Sequence, residues 1–159
     1  MDNVEWTDID LDNCSIARAL EVVGSRWTIV VLREAFNGVR RFEDFHQHLG
    51  ISPSVLSQRL RSMTSDGLLD RVPYREEGDR ERHEYHPSAK AWDLYPVVVG
   101  LMQWGDRYLG DGDGTPVQLI DTNSGKPVIA AVVPHDTPTC APSDITVQPG
   151  DALRTLPIR

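Results

Sequence analysis

Ile51-Ser52-Pro53-Ser54-Val55-Leu56-Ser57-Gln58-Arg59-Leu60-Arg61 decides the fold, because turn chemistry, a helix start and two chemically distinct helix faces fall in register along it. Ser52 is placed as an N-cap whose hydroxyl can accept an orphan N–H, and Pro53 suits the first helical position because it has no N–H to leave unpaired. Ile51 and Leu56 occupy the two positions of a hydrophobic staple. Leu56, Leu60 and Met63 recur at helical spacing as one apolar stripe with Val55 at its margin, and a stripe of that kind faces a core. Ser54, Ser57, Gln58 and Arg61 follow the same spacing on the other side. Hydroxyl, amide and guanidinium groups can hydrogen-bond base edges and phosphates in a major groove. The spacing predicts that the helix closes at Asp66-Gly67, where Gly67 can take the left-handed conformation.

On an isolated helix such a polar face is more often an ordinary solvated one; the neighbouring segments change that weighting. Upstream, Phe42, Phe45 and Leu49 stand at i, i+3 and i+7, which predicts a short helix burying one side. Gly50-Ile51 leaves only the tight connection that a helix-turn-helix needs. Downstream, Leu69 to Tyr74 is a strand candidate that Pro73 confines to an edge or an end. Arg75 to Arg82 is a charged loop with Gly78-Asp79 at its tip, and His83 to His86 is the return strand. A hairpin directly after such a helix is a wing.

Around this unit, Cys14 to Val23 and Trp27 to Phe36 carry apolar residues at helical spacing, broken by Gly24-Ser25 and stopped by Asn37-Gly38. They are expected to form the scaffold for the reading unit. Ser88 caps a further helix through Lys90, Trp92, Leu94 and Tyr95, which Pro96 bends or restarts. From Val97 to Leu109 the chain is apolar around most of a helical circumference. Such a helix needs cover on more than one side, and a symmetric partner supplies it, so Val98, Leu101, Met102, Trp104 and Tyr108 are the expected homodimer contacts.

Residues 1–13 hold five acids and no base and read as an acidic arm whose Trp6, Ile9 and Leu11 dock on a partner. Gly110 to Gly114 reads as a hinge, and 110–159 as a small β-rich extension. There Val117 to Asp121 and Val128 to Val133 are expected to pair as a hairpin around Thr122-Asn123-Ser124-Gly125, with Asp144 to Val147 adding a short strand. The fold expected is therefore mainly α with a small β wing (α+β), with a winged helix-turn-helix domain over 14–109.

The net charge of −8 argues at first against a nucleic-acid partner. Its distribution answers this: Cys14 to Lys90 holds 12 Lys and Arg against 11 Asp and Glu, whereas the remainder holds 4 against 13. The central bases are nearly all Arg, the residue suited to bidentate phosphate and guanine contacts. No apolar run is long enough to cross a bilayer and no signal peptide is recognisable, so a cytoplasmic location and no membrane partner are expected. Two cysteines, Cys14 and Cys140, make neither a disulfide framework nor a metal site. His135 beside Cys140 is too few ligands for zinc, and no cofactor is expected. His46 and His48, two apart on a helix, diverge and are expected to be solvated. With no zinc-binding His pattern, nucleophile elbow or phosphate loop, an enzyme is not supported.

Gly24-Ser25-Arg26-Trp27-Thr28, Arg41-Phe42, Gly50-Ile51-Ser52, Leu56-Ser57-Gln58-Arg59-Leu60, Gly67-Leu68-Leu69, Glu84-Tyr85 and Trp104-Gly105, in that order, resemble the HxlR family of winged helix-turn-helix transcriptional regulators. The resemblance covers about Cys14 to Leu109. It implies a homodimer on two-fold, double-stranded operator DNA, with the helix from Pro53 in the major groove and the wing at flanking backbone or minor groove. The DNA-contacting set is then Arg40 and Arg41 before the first helix, Ser52, Pro53, Ser54, Ser57, Gln58, Arg59 and Arg61 on the second, and Arg75, Arg80 and Arg82 on the wing. Cys14 matches the position of a cysteine that senses electrophiles or oxidants in some members. His86-Pro87-Ser88 departs from the usual Leu-Thr, Ala91 replaces a usual Gly, and Glu76, Glu77, Asp79 and Glu81 dilute the wing's charge.

The function expected is sequence-specific DNA binding by a transcriptional regulator, a repressor released by a redox signal or by a small aromatic or apolar effector near Trp27, Trp92 and Trp104. The alternative is a winged-helix protein-interaction module without specific DNA binding, which the acidic total charge and the mixed-charge wing motivate.

Overall fold

The computed structural model describes residues 5, 7, 10–76, 78 and 80–155. Trp6 and Ile9, two of the three expected docking residues of the arm, lie outside the described residues; Leu11 opens a 3-10 turn, Leu11–Asn13, and is exposed. The chain divides into two compact units, Met1–Ala91 and Trp92–Arg159.

The first unit is built on α2 (Arg26–Phe36), α3 (Phe42–Leu49) and α4 (Pro53–Ser65), preceded by α1 (Ser15–Val23). Its core is Val31, Leu32 and Ala35 from α2, Phe45 from α3, and Leu56, Leu60 and Met63 from α4, with Ile51, Leu68 and Leu69. The stripe read from the sequence is thus the buried face of α4. At its start Ser52 is extended and its Oγ accepts the Val55 N–H at 3.4 Å. Gly50 at φ +61° ends α3 and Gly67 at φ +72° follows α4, so each takes the left-handed conformation that stops a helix cheaply only at glycine. Because the cap bond is long, Ser52→Ala is expected to cost about 0.5–1 kcal/mol, measured by urea unfolding.

The wing is β1 (Leu69–Tyr74) paired antiparallel with β2 (Arg82–Pro87), in register from Leu69↔Pro87 to Tyr74↔Arg82. On its other side β2 makes a single bridge, Arg41↔Glu84, and the Tyr85 N–H donates to the Arg40 carbonyl at 2.8 Å. At the corner after β2, Ser88 Oγ donates to the Gly67 carbonyl at 2.7 Å and accepts the Ala91 N–H at 3.2 Å, while Lys90 Nζ donates to the Asp66 carbonyl at 2.7 Å. These bonds satisfy carbonyls left open at the end of α4 and fix the wing to it.

The structure corrects three expectations. First, α1 is not part of the scaffold core: none of its residues is buried, and Ile16 and Leu20 are 71% and 56% exposed. Second, the helix begun at Ser88 ends at Trp92 as α5 (Ala89–Trp92), short of Leu94 and Tyr95; the restart expected at Pro96 does occur, as α6 (Tyr95–Leu109) with Pro96 in its first turn, where a missing N–H costs nothing. Third, in the second unit β3 (Val117–Asp121) pairs antiparallel with β4 (Ile145–Pro149), not with 128–133.

The reason for the third is local. The Asp121 carboxylate accepts the N–H groups of Asn123 and Ser124 and the Ser124 hydroxyl, closing a turn. Past it Ile120↔Pro127 forms an isolated bridge, with the Asp121 N–H donating to the Lys126 carbonyl at 2.9 Å and the Val128 N–H to the Leu119 carbonyl at 2.8 Å. The Gln103 amide of α6 then donates to the Val128 carbonyl at 2.8 Å and accepts the Ala130 N–H at 2.9 Å. A side chain thereby takes the backbone groups a ladder would have used. No described helix is long and apolar enough to cross a membrane, and among the described residues no three His, Cys, Asp or Glu side chains cluster to hold a metal.

Candidate nucleic-acid interface

With Leu56, Leu60 and Met63 turned inward, α4 presents Ser54, Gln58 and Arg61 outward as exposed residues, with Ser57 half-buried between them. Arg61 lies back along its own helix, Nε donating to the Ser57 carbonyl at 3.3 Å. Ser52 and Pro53 are exposed at the entry. Among the described residues, the hydrogen bonds recorded for this face are its own turn-to-turn bonds, and its donors and acceptors suit base edges and phosphate oxygens.

Arg59 departs from the expected set. It is half-buried, its Nη1 lies 3.4 Å from Oγ1 of the fully buried Thr28 on α2, and its Nε is buried without a hydrogen-bond partner. It points at the protein. Arg40 also turns inward, donating to the carbonyls of Ala35 and of Val39 (3.0 Å), and burial lowers its pKa against the opposing field of Glu84.

Two of the cations at the wing, Arg41 and Arg82, are tethered. Arg41 Nε donates to Glu84 at 3.2 Å and Nη1 to Glu76 at 2.7 Å, and the guanidinium stacks over the Tyr74 ring at 4.4 Å. Those carboxylates hold the Arg41 pKa above its ordinary value. In return the Glu84 carboxyl is held below its ordinary value, first by the hydrogen bond from His86 (3.1 Å) and then by Arg41. Arg41 thus clips β1, β2 and the wing loop together at the start of α3. Arg82 lies 3.7 Å from Glu43. Arg75 and Arg80 are exposed. Arg71, outside the expected set, is an exposed β1 residue whose Nη2 donates to His83 Nδ1 at 3.0 Å across the pair of strands. It stands in mid-strand on the same side as Pro73, which the period of two makes legible in the sequence.

His46 and His48 also differ from expectation. Each is exposed at its surface, but His46 Nδ1 donates to the Ile51 carbonyl at 2.7 Å and His48 Nδ1 to Glu34 at 2.5 Å, so neither is merely solvated.

Of the residues expected at a dimer seam, Val98 is buried within the chain and Met102 half-buried, whereas Leu101, Trp104 and Tyr108 are 50%, 56% and 62% exposed. Trp104 and Tyr108 pack ring to ring at 5.5 Å. Trp104, Tyr108, Gln103 and Ile129 line an open groove of the second unit. Cys14 is half-buried immediately before α1. Arg18, one turn on, gives its guanidinium to Ser15 Oγ at 3.4 Å.

Residues 22–113 match the HxlR-like helix-turn-helix family. The chain is 43% identical over 141 residues to an uncharacterized HTH-type transcriptional regulator of Mycobacterium tuberculosis, a match covering 88% of this chain and 88% of that protein. In three dimensions it is similar to PA1607, a candidate transcription factor, with a TM-score of 0.67, 35% identity, and coverage of 78% of this chain and 85% of that one. It is similar also to PA1374, a candidate transcription factor from Pseudomonas aeruginosa, with a TM-score of 0.53, 38% identity, and coverage of 89% and 95%. The matched span takes in the capped α4, the turn before it and the wing after it, and the chain belongs to the HxlR-like helix-turn-helix family of DNA-binding transcriptional regulators.

Proposed function

We propose that the protein is a homodimeric repressor that reads a two-fold operator by laying α4 in the major groove. The observation that carries this reading is the polar outer face of α4, where Ser54, Gln58 and Arg61 stand exposed directly opposite the buried stripe. Two such helices must be held about one helical turn of DNA apart to read half-sites. The exposed Leu101, Trp104 and Tyr108 of α6 support a second copy as the covering surface. On this reading Ser54, Gln58 and Arg61 specify bases, Ser52, Pro53 and Ser57 set the helix entry against the backbone, and Arg75, Arg80 and Arg82 meet flanking phosphates.

The test is selection of duplexes from a randomised library, followed by gel-shift and light scattering of the complex. A palindromic consensus bound by two protomers is the expected result. Absence of any duplex preferred over random sequence at low salt would favour the protein-interaction reading, which the ion-paired wing supports. For regulation, Cys14 is the proposed redox sensor. Diamide is expected to weaken duplex binding by wild type and to leave Cys14→Ser unchanged; equal loss in both removes Cys14 from the mechanism. The groove at Trp104 and Tyr108 is the proposed site of a small aromatic or apolar effector.

A further inference from the structure

Among the described residues, the buried polar side chains are Thr28 and Glu34, and both stand on α2. Glu34 is a carboxylate at 3% exposure, a group that needs compensation from every side. Two residues provide it. Arg33 donates from Nε at 2.7 Å and from Nη2 to Oε1, but it is the adjacent residue on the same helix and ties α2 to nothing. His48 Nδ1 donates to Oε2 at 2.5 Å from the last turn of α3. Of the two partners, only His48 joins the buried carboxylate to another element.

We propose that the Glu34–His48 hydrogen bond is a positioning contact for DNA reading, setting the pose of α3 on α2 and, through the turn, the pose of α4. The inference rests on the reading of α4 as the DNA-facing helix. The turn transmits the pose because it is short and itself fixed: Gly50 reverses the chain, and His46 Nδ1 donates to the Ile51 carbonyl at 2.7 Å, one residue before the Ser52 cap. Two histidines of one helix therefore bolt it at both joints. α4 starts at Pro53, and Arg61 stands eight residues on, about 12 Å at 1.5 Å per residue, so a tilt of about 5° about the turn moves it by about 1 Å. That displacement exceeds the tolerance of a base-edge hydrogen bond while leaving the apolar stripe packed.

A polar contact of this kind acts on specificity more than on affinity for phosphate. Removing it takes away no cation facing DNA, so attraction to any duplex and its salt dependence should stay as they are. The loss falls on discrimination between sequences. Nδ1 has a near-isosteric replacement in the asparagine amide nitrogen, which can donate from the same place, whereas leucine has similar bulk and no donor.

The experiment measures affinity for a duplex selected by the wild-type protein and for a random-sequence duplex, at several salt concentrations, for wild type, His48→Leu, His48→Asn and Arg61→Ala, with urea unfolding of each. His48→Leu is expected to lower the selected-to-random ratio about tenfold, within the lower part of the range for one lost base contact. Its salt slope is expected to match wild type, and His48→Asn to recover most of the ratio. Glu34→Met, which removes the acceptor and is tested in the same way, reads the pair from its other end should His48→Leu fold poorly. The inference is overturned if His48→Leu, or Glu34→Met in its place, keeps the wild-type ratio within twofold, or if His48→Asn does no better than His48→Leu. Should Arg61→Ala lose binding while His48→Leu does not, only this inference fails. If the wild type prefers no duplex, the DNA reading fails and takes this inference with it.

Discussion

Truncating Leu60 to Ala lowers the unfolding free energy of the first unit by about 3 kcal/mol, within the range of about 2–5 kcal/mol that buried leucines show. Leu60 is wholly buried and lies one turn from both Leu56 and Met63, so its side chain is the middle of the stripe that seats α4 on the core. Neither neighbour can collapse into the vacated volume without leaving the position that anchors its own turn. Against a total of about 5–15 kcal/mol for a domain, the loss is a large fraction. The control is the opposite face. Gln58→Ala, an exposed position on the same helix, is expected to change stability by no more than about 0.5 kcal/mol. Urea unfolding followed by circular dichroism checks both, with an unchanged m-value showing that the same surface is being exposed. A cost for Leu60→Ala below about 1 kcal/mol would mean that the stripe is not packed as described.

The contrast between these two faces was legible in the sequence because every signal for it is local. The Ser52 cap, Pro53, the 3–4 spacing of Leu56, Leu60 and Met63, and Gly67 all act within one or two turns, and each is where it was expected. The same holds for the wing, whose strands differ from expectation only in that β2 runs from Arg82 to Pro87. What escaped were contacts between residues far apart in sequence. His48 and Glu34 are separated by 14 positions, and Arg41 meets Glu76 and Glu84 35 and 43 positions away. Periodicity says that Glu34 follows Val31 by three and shares its side of α2; it does not say what reaches the carboxylate there. In the extension, Val128 to Val133 has the β-branched composition of a strand, and composition was outvoted by one side chain, Gln103, that bonds its backbone. Val98 illustrates the limit for α6: an all-round apolar helix shows that cover is needed, while the chain's own packing decides which residues it covers.

Arg61→Ala and Arg59→Met are expected to part company, although the two residues are neighbours on one helix and both were read as DNA contacts. Arg61 is exposed and, among the described residues, its recorded hydrogen bond is to its own helix, so its guanidinium is available to the duplex. Its loss should weaken binding to a selected duplex by about 1–3 kcal/mol, roughly 5- to 150-fold, and if the contact is to phosphate the salt slope falls by about 0.9. Folding stability should hardly change. Arg59 stands three positions after Leu56 and four before Met63, the spacing that places it at the edge of the buried stripe rather than among Ser54, Gln58 and Arg61. There its Nε has no partner and its Nη1 has only a long bond to Thr28. A buried donor left unsatisfied costs about 1–3 kcal/mol, so methionine, whose chain ends level with the Arg59 Nε and carries no charge, removes that cost and keeps the packing of the stem. Arg59→Met should therefore leave the salt slope unaltered and leave stability equal or up to about 1 kcal/mol higher. Titrations of both variants against the same duplex at several salt concentrations, beside urea unfolding, separate the two roles. A reduced slope for Arg59→Met would mean that this arginine leaves Thr28 and swings out to a phosphate when DNA arrives, and the inward placement would then describe only the free protein.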